Sequence, residues 1–78
     1  MEYITNDFYS AVVLKVMKFS LLRLEKQNAK FVNFVFQDDK GTAEELLKRY
    51  WDRDGVRPEA RDLIETINEL KSRIYQVT

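Results

Sequence analysis

Four carboxylates lie within eight positions of the sequence, at Asp38, Asp39, Glu44 and Glu45. Oxygen ligands of this kind suit Mg²⁺ or Ca²⁺, so a metal site is one interpretation of the segment. The other interpretation is purely structural: the two aspartates end a strand, and Thr42 and Glu45 have the spacing of a helix capping box. We favour the structural interpretation because it accounts for each acid separately.

A second group of acids resembles part of a calcium-binding loop. Asp52, Asp54 and Gly55 would occupy loop positions three, five and six. Positions one and twelve, which require an acid and a bidentate glutamate, would then be Tyr50 and Arg61. The pattern fails at both ends, and a helix C-terminus with Gly55 in a left-handed turn fits better. We therefore expect no bound metal.

Composition removes most catalytic chemistry. The chain has 78 residues, enough for one small domain covering residues 1–78, and it contains neither cysteine nor histidine. Thiolate nucleophiles and imidazole proton shuttles are therefore absent. No pair of residues suggests a general acid, a general base or a nucleophile. We expect a protein that is not an enzyme, with no catalytic residues and no cofactor.

Charge and hydropathy constrain the partners. Thirteen Lys and Arg residues balance thirteen Asp and Glu residues, so no net field draws the protein to nucleic acid or to anionic lipid. The longest apolar run, Ala11–Leu14, is far too short to cross a bilayer. The first residues do not resemble a basic leader followed by an apolar stretch. We expect a cytoplasmic protein with no membrane partner.

Periodicity predicts an α+β domain with the order α-β-β-α-α. Apolar spacings of three and four indicate a first helix over about Asp7–Lys18. Two alternating segments, 20–27 and 30–38, predict a two-stranded antiparallel hairpin that packs on the helices. A second helix runs over about Ala43–Arg53, and a third opens at Pro58 and continues to about Tyr75.

The hairpin register follows from parity. If Leu22 and Leu24 share a face with Phe34 and Phe36, the loop must have an odd length, such as Asn28-Ala29-Lys30. Leu24 would then lie opposite Phe34, and Leu22 opposite Phe36.

The other face of this hairpin is half apolar, which makes it a candidate interaction surface. Its apolar residues are Phe19, Leu21, Phe31 and Val35. A two-stranded hairpin needs cover on both faces, so these residues are either covered by the first helix or offered to a partner. We predict protein–protein interaction or homodimerisation through this face or the hairpin edge.

Nucleic-acid binding by the basic hairpin is the alternative function. Arg23, Lys26 and Lys30 lie on the hairpin beside Phe31, so a ribbon could contact phosphates while the aromatic ring stacks on a base. The balanced charge favours a solvated surface instead. We rank this function below protein interaction.

Small-molecule binding is not expected. Three aromatic residues, Tyr50, Trp51 and Tyr75, could line a pocket because they combine an apolar body with a polar end. At helical spacing, however, such residues usually belong to the core. A domain of this size also has little interior to spare.

Several segments together resemble a family of short uncharacterised proteins from bacteria and their phages, catalogued as a domain of unknown function. The segments are "TNDFYSAVVLKVMKFSLL", "FVFQD", "LLKRYWD" and "LKSRIY". The matching features are the spacings Phe34-x-Phe36-x-Asp38, Tyr50-Trp51 and Ile74-Tyr75, and the likeness extends from Tyr3 to Tyr75. The resemblance implies a free-standing small domain, often encoded on mobile elements, and it carries no activity with it. With this resemblance, the alternative function is that of a nucleic-acid-binding accessory protein of a phage or mobile element.

Overall fold

The α+β class expected from the sequence is confirmed. The computed structural model describes residues 1–28 and 31–77, with only the backbone described at position 77. Its elements, in chain order, are β1 (Glu2–Thr5), α1 (Phe8–Val16), β2 (Leu21–Lys26), β3 (Val32–Gln37), α2 (Ala43–Trp51) and α3 (Ala60–Val77). Two residues of the predicted hairpin loop, Ala29 and Lys30, lie outside the described residues.

The sheet has three strands where the sequence predicted two. All neighbours are antiparallel and the order is β1-β3-β2, so β3 is central. In β1, Tyr3 pairs with Phe36 and Thr5 pairs with Phe34. A segment of four residues is too short for its alternation to be recognised, and its pairing depends on a strand far along the chain. The predicted two-stranded hairpin is therefore part of a larger sheet.

The predicted register holds for one end of the hairpin only. Leu24 lies opposite Phe34, as expected. The predicted pairing of Leu22 with Phe36 is wrong, because a β-bulge at Leu22 places Leu21 opposite Phe36. An extra residue in one strand shifts the later side chains relative to the partner strand. Leu21 therefore joins the face that packs on the helices.

We call the side of the sheet that carries Phe34 and Phe36 the closed face, and the opposite side the open face. The closed face meets α1, in which all five residues from Ser10 to Leu14 are buried. A helix that is buried over most of its surface must be mostly apolar, which explains why its sequence lacks a broad polar stripe. Tyr9, which is 60% exposed, and Lys15, which pairs with Glu69, are the exceptions. Asp7 precedes its first turn and accepts a hydrogen bond from the Ser10 hydroxyl (Oγ···Oδ2 2.6 Å).

Asp38, and not Thr42, caps the N-terminus of α2. The Asp38 carboxylate accepts hydrogen bonds from the Thr42 amide (N···Oδ1 2.9 Å) and the Ala43 amide (N···Oδ2 3.3 Å). Thr42 has a helical backbone conformation, and among the described residues its hydroxyl makes no capping bond. The predicted capping box of Thr42 and Glu45 is therefore wrong, because the turn after β3 already supplies a carboxylate to the first amides.

The C-terminus of α2 is a Schellman motif with an arginine at the left-handed position. The Arg53 amide donates to the Tyr50 carbonyl at 3.1 Å, and the Asp54 amide donates to the Arg49 carbonyl at 2.7 Å. Arg53 has φ +59°. The sequence assigned the left-handed turn to Gly55, which does have φ +84° but lies two residues beyond the position that ends the helix.

The third helix begins at Ala60, two residues after the predicted start at Pro58. Its first backbone hydrogen bond runs from the Leu63 amide to the Glu59 carbonyl at 3.0 Å. Four of its apolar residues pack on the core, namely Leu63, Ile67, Leu70 and Ile74. Ile64 does not join them: it is 61% exposed because it lies about 100° around the helix from Leu63.

Candidate functional site

The open face of the sheet combines charged and apolar side chains. By strand alternation it carries seven residues: Glu2, Ile4, Arg23, Glu25, Asn33, Val35 and Gln37. None of these seven belongs to the core cluster of the described residues. Ile4 is 50% exposed, whereas Val35 beside it has no accessible surface. The helices therefore pack on the closed face, and the cover of Val35 comes from the open face itself.

Arg23 is the centre of that cover. Its guanidinium donates to both carboxylate oxygens of Glu2, each at 3.1 Å, and its Nε donates to Glu25 at 2.8 Å. The first of these pairs joins β2 to β1 and therefore crosses β3, beside Val35. Bidentate pairing fixes the guanidinium more firmly than a single contact would.

The ion pairs also fix the charges of the open face. Hydrogen bonds from Arg23 hold the pKa of Glu2 below its usual range; desolvation opposes this shift, and the positive charges of Arg23 and the N-terminus add to it. Hydrogen bonds to Glu2 and Glu25 raise the pKa of the Arg23 guanidinium further above its already high value. At neutral pH the cation is thus matched by two anions on the same surface.

The outer edge of β2 presents unpaired backbone groups. Gln27 donates its amide to the Phe31 carbonyl at 2.9 Å, which makes Gln27 a residue whose backbone faces β3. Antiparallel pairing alternates, so the backbone groups of Leu24 and Lys26 must point away from β3. Among the described residues, no backbone hydrogen bond joins β2 to an element other than β3. This edge can therefore accept another strand.

The four predicted interface residues do not form one surface. Phe19 and Leu21 pack against the core, Val35 is fully buried on the open face, and Phe31 is 51% exposed at the end of the hairpin. The bulge at Leu22 is the cause, because it turns Leu21 to the closed face. Their role in binding a partner stays a prediction.

Ile4 is the exposed apolar residue of the open face that sequence reasoning missed. Its signal was the alternation of Glu2 and Ile4 with Tyr3 and Thr5, which is visible only once residues 2–5 are recognised as a strand.

Of the residues proposed for nucleic acid, Arg23 lies beside the bulge of β2, whereas Lys26 and Phe31 lie near the loop end of the hairpin. Lys26 and Phe31 are exposed, whereas Lys30 lies outside the described residues. Arg23 is engaged by two carboxylates, so little of its charge remains for a phosphate. The hairpin therefore offers less positive charge than its sequence indicates.

The acidic segment that suggested a metal is divided by the structure. Asp38 is 6% exposed, with both carboxylate oxygens bonded to amides at the start of α2, while Asp39 accepts a hydrogen bond from the Gln37 side chain. In residues 1–28 and 31–77, no group of three or more acidic side chains is arranged to hold a metal ion. The segment therefore positions a helix.

Comparison with known proteins adds no relative. No family model, no curated protein and no solved structure matches the chain. Across the described helices, none combines the length and the apolar character needed to cross a membrane. The resemblance to the short bacterial and phage proteins stays an expectation from the sequence.

Proposed function

We propose that the protein is a non-catalytic assembly domain that binds a second copy of itself through β2. Pairing of two β2 edges would join two three-stranded sheets into one sheet of six strands, related by a two-fold axis. The observation that carries the proposal is the outer edge of β2, whose outward backbone groups have no strand partner among the described residues. Exposed edges of this kind are the usual template for strand addition.

Charge selects one register for this pairing. If Leu24 lies opposite Leu24 of the second copy, Arg23 lies opposite Glu25 of the second copy, and the reverse pair forms by symmetry. A shift toward the strand start would place Arg23 opposite Arg23, and a shift toward the strand end would place Glu25 opposite Glu25. Like charges directly opposite one another destabilise a sheet. Only the first register pairs unlike charges on the open face.

The same register also uses the correct backbone groups and an apolar contact. Leu24 directs its amide and carbonyl away from β3, so two copies of it can exchange hydrogen bonds across the axis. Its side chain is on the closed face, where it packs beside the core. Two copies of Leu24 would therefore extend both cores toward the axis. The bulge at Leu22 restricts regular pairing to the later part of the strand.

Nucleic-acid binding by the hairpin has less support. Arg23, one of the basic residues of that proposal, is already paired with Glu2 and Glu25. Self-pairing instead uses this arrangement, because Glu25 would lie between two Arg23 side chains.

Two single charge reversals test the proposal. Glu25→Arg places arginine opposite Arg23 of the second copy, and Arg23→Glu places glutamate opposite Glu25 of the second copy. By symmetry each change acts twice, so we expect the dissociation constant of the self-complex to rise by at least about tenfold. Sedimentation velocity over a concentration series measures this dissociation constant, because the dimer has twice the monomer mass of 9.3 kDa.

A mixture of the two variants is the decisive sample. One chain of the mixed dimer would carry arginine at both positions and the other glutamate at both, so the mixed dimer should form more tightly than either variant forms a dimer with itself. Glu65→Arg is the matched control, because it breaks a similar exposed pair, Glu65 with Arg61 at 3.2 Å, away from β2. A wild-type protein that stays monomeric, or a mixture that does not associate, would refute the proposal.

A further inference from the structure

A cleft of about 510 Å³ lies between the end of α2 and the start of α3. Its lining includes Tyr50, Trp51, Val56 and Leu63, together with Arg53 and Arg57. The volume is within the range of small-ligand sites. The cleft is separate from the open face and from β2, so it raises a question that the assembly proposal does not answer.

The apolar side of the cleft packs on the core at its base and is exposed at its rim. Tyr50 and Leu63 pack against the core, which fixes their positions. Trp51 is 55% exposed, and its ring meets the Tyr50 ring edge-on, with centroids 5.1 Å apart and an angle of 75° between the planes. The helical spacing of Trp51 predicted that it belongs to the core. Instead it presents an indole on which a flat ring can stack.

The charged side of the cleft is entirely positive. Arg53 and Arg57 are its charged lining residues. In the part of the chain that the structure describes, neither one has a carboxylate within 4.0 Å. The nearby acid Asp54 is directed to Arg49, which also donates to the Asp54 carbonyl at 3.2 Å. The cleft thus carries two arginines that form no ion pair among the described residues, in a protein whose net charge is zero.

The backbone of Arg53 gives a further reason to consider this cleft. Arg53 occupies the left-handed position of the Schellman motif, with φ +59°. Glycine is the favoured residue there because a side chain is strained in that conformation. Strained residues that persist are common at binding sites. The side chain retained at this strained position is one of the two cations of the cleft.

We propose that the cleft binds a small ligand in which a flat aromatic ring is joined to a phosphate, the chemistry of a nucleoside monophosphate. The ring would stack on Trp51, and the phosphate would bind Arg53 and Arg57. A phosphate monoester carries nearly two negative charges at neutral pH, which matches two guanidinium groups better than a single carboxylate would. This ligand class differs from the sequence expectation of no small molecule.

Trp51 is the one tryptophan in the chain, so its fluorescence reports on the cleft directly. Titration with adenosine monophosphate, with excitation at the red edge of the indole band, should quench the emission in a saturable way. Adenosine and inorganic phosphate each supply half of the ligand, and we expect each to bind at least about tenfold more weakly. Absence of saturable quenching would refute the proposal, as would equal binding of adenosine.

Three arginine variants separate binding from folding. Arg57→Gln should raise the dissociation constant for adenosine monophosphate by about tenfold or more. Arg61→Gln is the matched control, because Arg61 is paired with Glu65 and does not line the cleft. This variant should bind adenosine monophosphate as tightly as the wild type does.

Arg53→Gly is the sharpest of the three. Glycine relieves the left-handed strain, so this variant should melt at a higher temperature than the wild type while binding the nucleotide more weakly. Loss of binding with increased stability cannot come from damage to the fold. Unchanged affinity in both Arg53→Gly and Arg57→Gln would refute the assignment.

Discussion

Successive residues of β3 lie in two different environments, although the strand is the same. The row on the closed face consists of Val32, Phe34 and Phe36 and continues into Asp38 just beyond the strand, whereas the row on the open face consists of Asn33, Val35 and Gln37. Phe36 and Val35 are adjacent and both have no accessible surface. Phe36 belongs to the core cluster with the helices, whereas Val35 lies among ion-paired side chains on the open face. The two side chains are therefore equally buried but covered by different structures, helices for Phe36 and ion-paired side chains for Val35.

This difference shows which side of the sheet can rearrange its side chains when a partner strand binds. Side chains packed in a helical core cannot move without leaving a cavity. The pair of Arg23 with Glu2 is exposed and can rearrange at small cost. A partner strand added at β2 could therefore recruit Arg23 and Glu25 without disturbing the closed face.

The largest effect should come from truncating the two buried neighbours. Phe36→Ala should lower the free energy of unfolding by about 3–5 kcal/mol, because it leaves a cavity against the helices. Val35→Ala removes only two methyl groups under a flexible cover, so we expect a loss of roughly 1–2 kcal/mol. Chemical denaturation followed by circular dichroism measures both. Equal losses at the two positions would mean that the open face is as firmly covered as the closed face.

The next effect concerns the carboxylate that ends the closed row. Asp38→Ala removes the acceptor of two amide hydrogen bonds at the start of α2, and we expect a loss of up to about 2 kcal/mol. Thr42→Ala is the control, because the Thr42 hydroxyl makes no capping bond among the described residues, and it should cost only a few tenths of a kcal/mol. Denaturation midpoints compare the two variants. A larger loss of stability for Thr42→Ala than for Asp38→Ala would mean that Thr42 caps the helix, as the sequence predicted.

These two positions show how far the sequence determines the fold. Local patterns predicted all three helices and the hairpin, because helix periodicity and strand alternation are properties of neighbouring residues. The acid that caps α2 was misassigned because Asp38 is four residues before Thr42, outside the spacing of the capping box. Only the path of the turn brings its carboxylate to the helix.

The candidate surfaces were harder to predict than the elements. A single extra residue at Leu22 moved Leu21 to the core and divided the predicted interface, and no local signal marks where a bulge will form. The cleft depends on Arg53 adopting the left-handed position that the sequence assigned to Gly55. Which cations are compensated is also a tertiary property, since Arg23 meets Glu2 across the sheet.

The smallest effect should be a dependence on pH that is specific to the open face. The pKa of Glu2 is lowered from its ordinary 4.5, chiefly by hydrogen bonds from Arg23. A carboxyl group with a lowered pKa in the folded state stabilises the fold above its unfolded pKa, and this contribution disappears as the pH falls through the folded pKa. Glu2→Gln should therefore be less stable than the wild type at pH 7, and the difference should shrink below about pH 4.5. Unfolding at a series of pH values measures the difference.

The control for this pH dependence is the same substitution in an Arg23→Gln background. There Glu2→Gln should cause little change at any pH, because the source of the pKa shift is gone. A difference that persists in that background would show that Glu2 stabilises the sheet by a route other than Arg23. The cover of Val35 would then need another explanation, since the ion pair of Arg23 with Glu2 is what crosses β3 beside it.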